Sequence, residues 1–571
     1  MSLQTGRSSL PPPSSRRIDL ARTRLRGLRD DPNPVWMREL RQAARLQRTP
    51  IILAVVTGMM TLLMASVGGV ASTSTEPAKV GIALYHTFFS IAFFVVTWIG
   101  PTVAASTIAS ERSGRTWEAL LLTGIGAPAI ARGKLLASLT YVGLYIVMLA
   151  PVGALPFLFG GVAATEVLAA FALLGLFAVL SVAFGLSMSS KFTSNAAAVG
   201  VTLLIAVPLS IVAYLLLGVA LSFGAHELWP GVPGGPPVWL PTAYARADFG
   251  AEYLVFLVAV PVVLVLLPAW FLYEVTIANM AGVSDDRSSG LRRWFLVCLP
   301  LLSLAGLAPA AALPGNSAPY TVVGLGLVSL MCGFAVFVFV GEPLGPSRRV
   351  EVHWERERAS RLRRFLGPGL IRAMSLLLLL GLAGLALESA VGVALAFFGG
   401  RSAGAPDDAL RIASFAGYAM CFTVFLAGLG AWLRARSLSA SSPRVVLAGA
   451  LFLSMAGPWI LTAIFGLFAS HGKDALLVAA PSPTFVFVMM KAIGDPSLDA
   501  TFTLIAGGAC AAGWALIGVA LFAAAARRAR RTVRAHEDAM SRLENALREE
   551  DEARDAPAAE PTTAAAAPGE P

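Results

Sequence analysis

The chain has 571 residues, of which 56% are hydrophobic and 14% charged, with a formal net charge of +10. Its mean hydropathy is +0.71. A soluble domain carries about 25% charged residues, so this balance excludes an ordinary water-soluble globule.

The first fifty residues are polar and rich in Pro and Arg, without the apolar core of a secretory signal. Residues 1–34, with PPPSSRR and DDPNP, read as disordered. Residues 35–48 (VWMRELRQAARLQR) predict an amphipathic helix lying on the inner leaflet. Val35, Trp36, Leu40, Ala43, Ala44 and Leu46 would form its apolar side, with Arg38, Arg41, Arg45 and Arg48 toward lipid phosphates.

Twelve apolar segments follow, at 51–70, 84–105, 135–160, 166–188, 196–223, 253–277, 294–313, 320–341, 373–398, 412–433, 445–468 and 503–525. Each approaches or exceeds the roughly twenty residues a helix needs to cross about 30 Å of hydrocarbon. The runs are continuously apolar rather than alternating, which excludes barrel strands. With the N-terminus placed inside, all but six of the 44 Lys and Arg residues fall on the inner side; the six are Lys79, Arg246, Arg401, Arg411, Lys473 and Lys491. The expectation is an all-α polytopic protein of the inner membrane with about twelve transmembrane helices and both termini cytoplasmic. Its positive charge then reflects orientation, with no nucleic acid implied.

The predicted organisation is a basic N-terminus (1–50), a first six-span unit (51–277), a cytoplasmic linker (278–293), a second six-span unit (294–525) and a charged, low-complexity tail (526–571). The two halves share features that suggest duplication in one orientation. Each has an inside loop of about thirty residues after its second span, polar linkers after the fourth, and a long outside loop before the sixth carrying LPTAYA (240–245) or SPTFVF (482–487). The four cysteines, Cys298, Cys332, Cys421 and Cys510, sit in apolar runs without CxxC spacing and read as buried hydrophobes.

The most informative stretch is STIASERSGRTWEALLLTGIGAPAIARGKLLA at 106–137. Ser110 is expected to cap a short helix with Glu111 near its positive end, and Gly114 to break it. Thr116 to Leu122 then gives an apolar stripe of Trp117, Leu120 and Leu121 with Glu118 exposed, and that stripe needs a partner. Gly124, Gly126 and Pro128 turn the chain, and Lys134 is expected to anchor the third span at the headgroups.

The pattern ASER-x-G-x-x-x-E-x-LLLT-G, followed by GKLLA, resembles the signature of type-two ABC transporter permeases. In that family the stretch between the second and third spans is the coupling helix that docks on a separate ATPase. The resemblance carries that role to Glu111, Gly114, Thr116, Glu118, Leu120, Leu121, Gly133 and Lys134, with Trp117 on the same apolar side. Arg115, between Gly114 and Thr116, departs from the family form. NPVWMREL (33–40) and FGLSMSSKFTSNAAA (184–198) also resemble family segments. The likeness covers 33–277; in the second half HWERERASRLRRFLGPG keeps the loop length and loses the Gly-x-x-x-Glu-x-Leu-Leu pattern. It implies an exporter permease that is not itself an enzyme and holds no cofactor, ATP being used by the partner subunit. One chain could act as a pseudo-dimer, or two chains could pair. The nearest thing to a phosphate-binding loop, GAPAIARGKL (126–135), has the wrong spacing and no hydroxyl after its Lys.

Outside this stretch the five histidines are scattered, with no metal-binding spacing. The outside loop 224–252 is rich in Pro, Gly and Trp and reads as either a re-entrant gate or a plain loop, with Trp229 and Trp239 at headgroup depth. Glu388 is the one acid deep in an apolar run; it reads as a hydrated residue near the outer interface or as part of a translocation path. The alternatives to a permease are an ion-coupled secondary transporter, a membrane-embedded transferase, or a non-transporting scaffold derived from a permease.

Overall fold

The structure, a computed structural model, describes residues 32–44, 48–73, 76–232, 240–282, 284–312, 317–398, 405–468 and 476–555. The expectations for residues 1–31 and 556–571, and for Arg45, Leu46, Trp239, Arg401, His471 and Lys473, lie outside the described residues. Among those described, every regular element is helical. Twelve helices are long and apolar enough to cross a membrane, so the protein is an all-α, multi-pass membrane protein.

The helices divide into two compact units, 1–301 and 302–571. In the first, α1 (Pro34–Ala44) precedes the spans α2 (Arg48–Ser72) and α3 (Pro77–Ser113). A short α4 (Trp117–Leu122) links α3 to α5 (Ala127–Phe159), which is followed by α6 (Ala164–Ser189). The fifth span, α7 (Asn195–Leu228), leads to the short α8 (Leu240–Arg246) and the sixth span α9 (Ala251–Met280). Helix α10 (Ser289–Ala312) carries the chain across the division. The second unit continues with α11 (Ser317–Phe339), two short helices α12 (Arg348–Arg356) and α13 (Arg361–Phe365), and spans α14 (Leu370–Phe398), α15 (Ala405–Arg436) and α16 (Ser441–Phe468). A short α17 (Val486–Ala492) then precedes α18 (Ala500–Asp555).

Several helices outrun their apolar windows. At 1.5 Å per residue the 37 residues of α3 reach about 55 Å, nearly twice the hydrocarbon thickness. Helix α18 continues without a break through its charged tail to Asp555. Hydropathy sees only the stretch inside hydrocarbon, whereas backbone hydrogen bonds carry a helix on into water until a sequence break stops it.

The same pairs of spans pack together in both units. The second span lies against the third and fourth (α3 with α5 and α6; α11 with α14 and α15), and the fourth against the sixth (α6 with α9; α15 with α18). Lipid is as apolar as Leu, so close backbone approach rather than hydrophobic burial drives such contacts. Gly185 of α6 shows this, because a Cβ there would collide with the backbone carbonyl of Pro101 in α3. Outward, α2, α7 and α16 are barely covered by their own units, and exposed Leu62, Leu204 and Phe452 suit a lipid-facing surface.

The segment between α7 and α9 is folded back on the unit. Trp229 does not sit free at headgroup depth: it is buried with Val232, Ala243 and Leu257 in a small separate core. Arg246 of α8 pairs with the buried Glu166 at the start of α6, 3.7 Å away. The flanking spans each contain a π-helical turn, at Ala213–Leu217 and Leu254–Ala259.

Gly185→Leu is expected to destabilise the first unit by about 1–3 kcal/mol through overpacking. Gly200→Ala, where nothing lies within 4 Å of an added Cβ, should have almost no effect. Apparent thermal unfolding midpoints in detergent check both.

Candidate functional site: a braced elbow between the second and third spans

The end of α3 is set by its last turn. Gly114 N–H donates to the Ser110 carbonyl (2.8 Å) and Thr116 N–H to the Glu111 carbonyl (2.9 Å). Ser110 and Glu111 therefore close α3 rather than open a new helix, and Ser110 caps nothing. The reversal does not fall on Gly114, whose φ is an ordinary −82°. It falls on Arg115, in the left-handed region at φ 58°, so the residue that departs from the family pattern is the one that turns the chain. After α4, Gly124 supplies a second left-handed turn at φ 74°, and Gly126 and Pro128 start α5.

Lys134 is fully buried, not anchored at headgroups. Its Nζ donates to Glu39 Oε1 (3.0 Å) and to the Thr107 carbonyl (3.0 Å), and lies 3.1 Å from Glu111 Oε1. An ammonium has three donors; two are used here, one on α1 and one on α3, and Glu111 of α3 adds its charge at ion-pair distance. Arg38, expected to face phosphates, instead pairs with both Glu39 and Glu111. The four groups form two opposite pairs of charge, which burial demands. Desolvation alone would raise the Glu39 carboxyl; Lys134 and Arg38 outweigh it and hold Glu39 below its ordinary 4.5.

Gly133 explains how α1 comes so close. A Cβ there would stand 2.7 Å from Asn33 Oδ1 and 2.7 Å from the Val35 Cβ. Asn33 begins α1, accepting from Val35 N–H (3.0 Å) while its amide donates to the Ala129 carbonyl (2.8 Å). Val35 is buried in the unit's main core. The α3 end is also tied to the far ends of α6 and α9: Arg112 donates to the Ser190 carbonyl (2.7 Å), and Asn279 donates to the Ser190 hydroxyl (2.9 Å). Tyr273 of α9 donates to the Pro128 carbonyl (3.2 Å).

The sequence-selected residues thus separate into three groups. Glu111, Gly133 and Lys134 lie in the brace. Gly114 and Thr116 shape the turn, Thr116 Oγ1 donating to the Glu111 carbonyl at 3.3 Å. On α4, Leu120 is buried in the core, and Trp117 is half-buried with the Arg112 guanidinium 5.3 Å from its ring centre. The free face consists of Glu118, Ala119, Leu121 and Leu122; Leu122 is 87% exposed and Leu121 44%. The expected stripe of Trp117, Leu120 and Leu121 is therefore split, because Leu120 is the residue that fastens α4 to the unit. Sequence reasoning missed Glu39 as a member of the brace and Leu122 as the most exposed apolar residue of α4. Glu388 belongs to the other unit, where it is fully buried on α14. Among the described residues no group of three His, Cys, Asp or Glu side chains is placed to hold a metal ion.

The fold and this geometry define a polytopic membrane protein of transporter-like build. No protein family, curated protein or solved structure matches the chain, so a finer reading rests on its own residues.

Lys134→Met would leave Glu39 and Glu111 with Arg38 as their one remaining shared cation and one negative charge uncompensated, at a cost of about 3–5 kcal/mol. The expected result is loss of hydrogen-exchange protection across residues 34–44. A second outcome follows from Glu39. Because the folded state holds its carboxyl below the ordinary value, its stabilising share is complete above 4.5 and is lost as pH falls through the folded value. Protection of α1, corrected for intrinsic exchange rates, should be flat near neutrality and fall on acidification below 4.5.

Proposed function

We propose that the chain is the permease subunit of an ABC-type exporter in the inner membrane, and that a separate ATPase docks on the exposed face of α4. The observation that carries this reading is Leu121 and Leu122 standing exposed on a six-residue helix whose other side is locked into the protein. A helix that short has no stability of its own. It persists because Leu120 and the α3 and α5 ends hold it, and that makes it a rigid contact. The likeness of 106–137 to the family's coupling segment supports the same assignment, and the distribution of Lys and Arg supports a cytoplasmic elbow.

On this reading the ATPase binds and hydrolyses ATP, and the chain supplies no cofactor site. A push on α4 reaches α3 and α5 directly, α1 through the Lys134 brace, and α6 and α9 through Ser190, Asn279 and Tyr273. Transport then requires two packings of these helices with different affinities for the motor's nucleotide states.

The test is the double substitution Leu121→Asp/Leu122→Asp, with Glu118→Arg as a second variant. Each should leave the permease folded. Each should also reduce co-isolation of an ATP-photolabelled subunit from native membranes by at least about tenfold, equivalent to about 1.4 kcal/mol of contact. Undiminished co-isolation together with undiminished ATP-dependent flux would overturn the docking role.

A further inference from the structure

The second unit contains a carboxyl that the elbow reading does not use. Glu388 lies roughly 27 Å along α14 at 1.5 Å per residue, is fully buried, and has no hydrogen-bond partner on either oxygen. Room for it is made at the crossing of α10 and α11, where two glycines bring the backbones together. A Cβ on Gly306 would lie 2.7 Å from Glu388 Oε1 and 2.7 Å from the Gly324 Cα, and a Cβ on Gly324 would overlap the same oxygen. One turn before Gly306, the Ser303 hydroxyl is likewise buried without a partner. One turn before Gly324, Thr321 is occupied with the Ser317 carbonyl (2.8 Å).

The titratable groups on the surrounding helices offer no counter-charge. Helix α10 has none beyond Leu302, and α11 has Tyr320 and Cys332, the latter packed against Gly381. On α15, Tyr418 donates to the Ala480 and Ser482 carbonyls, Arg411 pairs with Asp408 (3.0 Å), Arg434 in the last turn donates to the Glu342 and Ser437 carbonyls, Arg436 lies over the Trp432 ring, and Asp407 and Cys421 are the remaining groups. On α18, Cys510 is the titratable group along the apolar part. None of these is ion-paired to Glu388 among the described residues.

An unpaired carboxylate deep in a membrane helix costs about 2.5–3.5 kcal/mol on insertion scales. One serine hydroxyl is too few oxygens to complete the shell of six or more that Ca²⁺ takes, and backbone carbonyls inside helices are already engaged. The ligand that removes the charge with nothing further is a proton. We propose that Glu388 is a proton-binding site inside the second unit. It carries the proton while α10, α11 and α14 are packed as here, and yields it to water, leaving carboxylate and hydronium, only when the Gly306–Gly324 crossing opens. The site thereby ties a protonation step to helix packing. This does not depend on α4 being a motor contact.

The experiment uses the full chain reconstituted in liposomes and dicyclohexylcarbodiimide, an apolar reagent that adds to protonated carboxyls. The adduct on the Glu388 peptide is measured by mass spectrometry. Adduct formed at about pH 6 should exceed that at about pH 9 by at least about tenfold, and sodium ions at constant pH should not compete. Glu388→Gln, which keeps shape and neutrality, should fold with an unchanged thermal midpoint and give no adduct. If that variant does not assemble, the wild-type pH profile decides alone. Adduct independent of pH, absent at both values, or suppressed by sodium would each overturn the proposal.

Discussion

A buried ammonium organises the first unit. Lys134 has no contact with solvent; it donates to Glu39 of α1 and to the Thr107 carbonyl of α3, and lies 3.1 Å from the Glu111 carboxylate. Removing such a group from water costs several kcal/mol unless it is paired and hydrogen-bonded, so its position dictates those of its neighbours. Glu39 must come to it, which sets the depth and rotation of α1. Glu111 must come to it, which sets where α3 ends. Gly133, the preceding residue, must lack a side chain for α1 to approach at all. The brace is a long-range constraint, joining positions 95 residues apart in sequence.

The same constraint gives α4 its mechanical character. The loop is not a free tether between two spans, because its entry is closed by the α3 turn and its exit by Gly124, Gly126 and the fixed start of α5. A displacement of α4 must therefore move long helices as bodies. At the other end of the unit, the π-helical turns in α7 and α9 flank the return segment, and the Tyr244 hydroxyl bonds the Leu257 carbonyl within one of them. Such turns are rare and concentrate at functional positions. Here they stand on both sides of one segment, in the spans that enter and leave it.

How much of this was legible in the sequence depended on how local the cause was. The twelve spans follow from composition alone, since each is a run whose apolarity needs no context, and every segment read at that level is a helix here. The elbow was located by its pattern, but its face was not. Over six residues no helical period can be resolved, and whether Leu120 or Leu122 turns inward depends on the core beneath it. Lys134 read as a headgroup anchor because a lysine at the edge of an apolar run usually is one. Nothing near it in sequence reveals Glu39. Trp229 misled for the same reason, its partners Ala243 and Leu257 lying beyond a Pro-Gly segment. Glu388 was visible as an anomaly, but its full burial depended on two glycines on other helices.

The two units share their pairings of spans but not their elbows, and the difference is chemical. In the second unit the loop after α11 is held by Arg434 donating to the Glu342 carbonyl (3.0 Å) and by the Glu342 carboxylate accepting from Gly369 N–H (3.3 Å). Its helix α12 buries Val350 and Trp354, and the extended tail of α18 lies against the same loop. Arg348 pairs with Glu544 at 3.2 Å, and a Cβ on Gly345 would meet Val533. What α13 offers instead is the basic run Arg361, Arg363 and Arg364 around an exposed Leu362. An acidic-apolar face like that of Glu118, Leu121 and Leu122 has no counterpart there. A motor surface complementary to α4 would meet like-signed or mismatched groups on α13, and such mismatch costs as much specificity as a good contact gives. On the proposed reading, one chain therefore engages a motor through one elbow. The second unit is left free to carry a different task, and the uncompensated carboxyl at the Gly306–Gly324 crossing is the feature that distinguishes it.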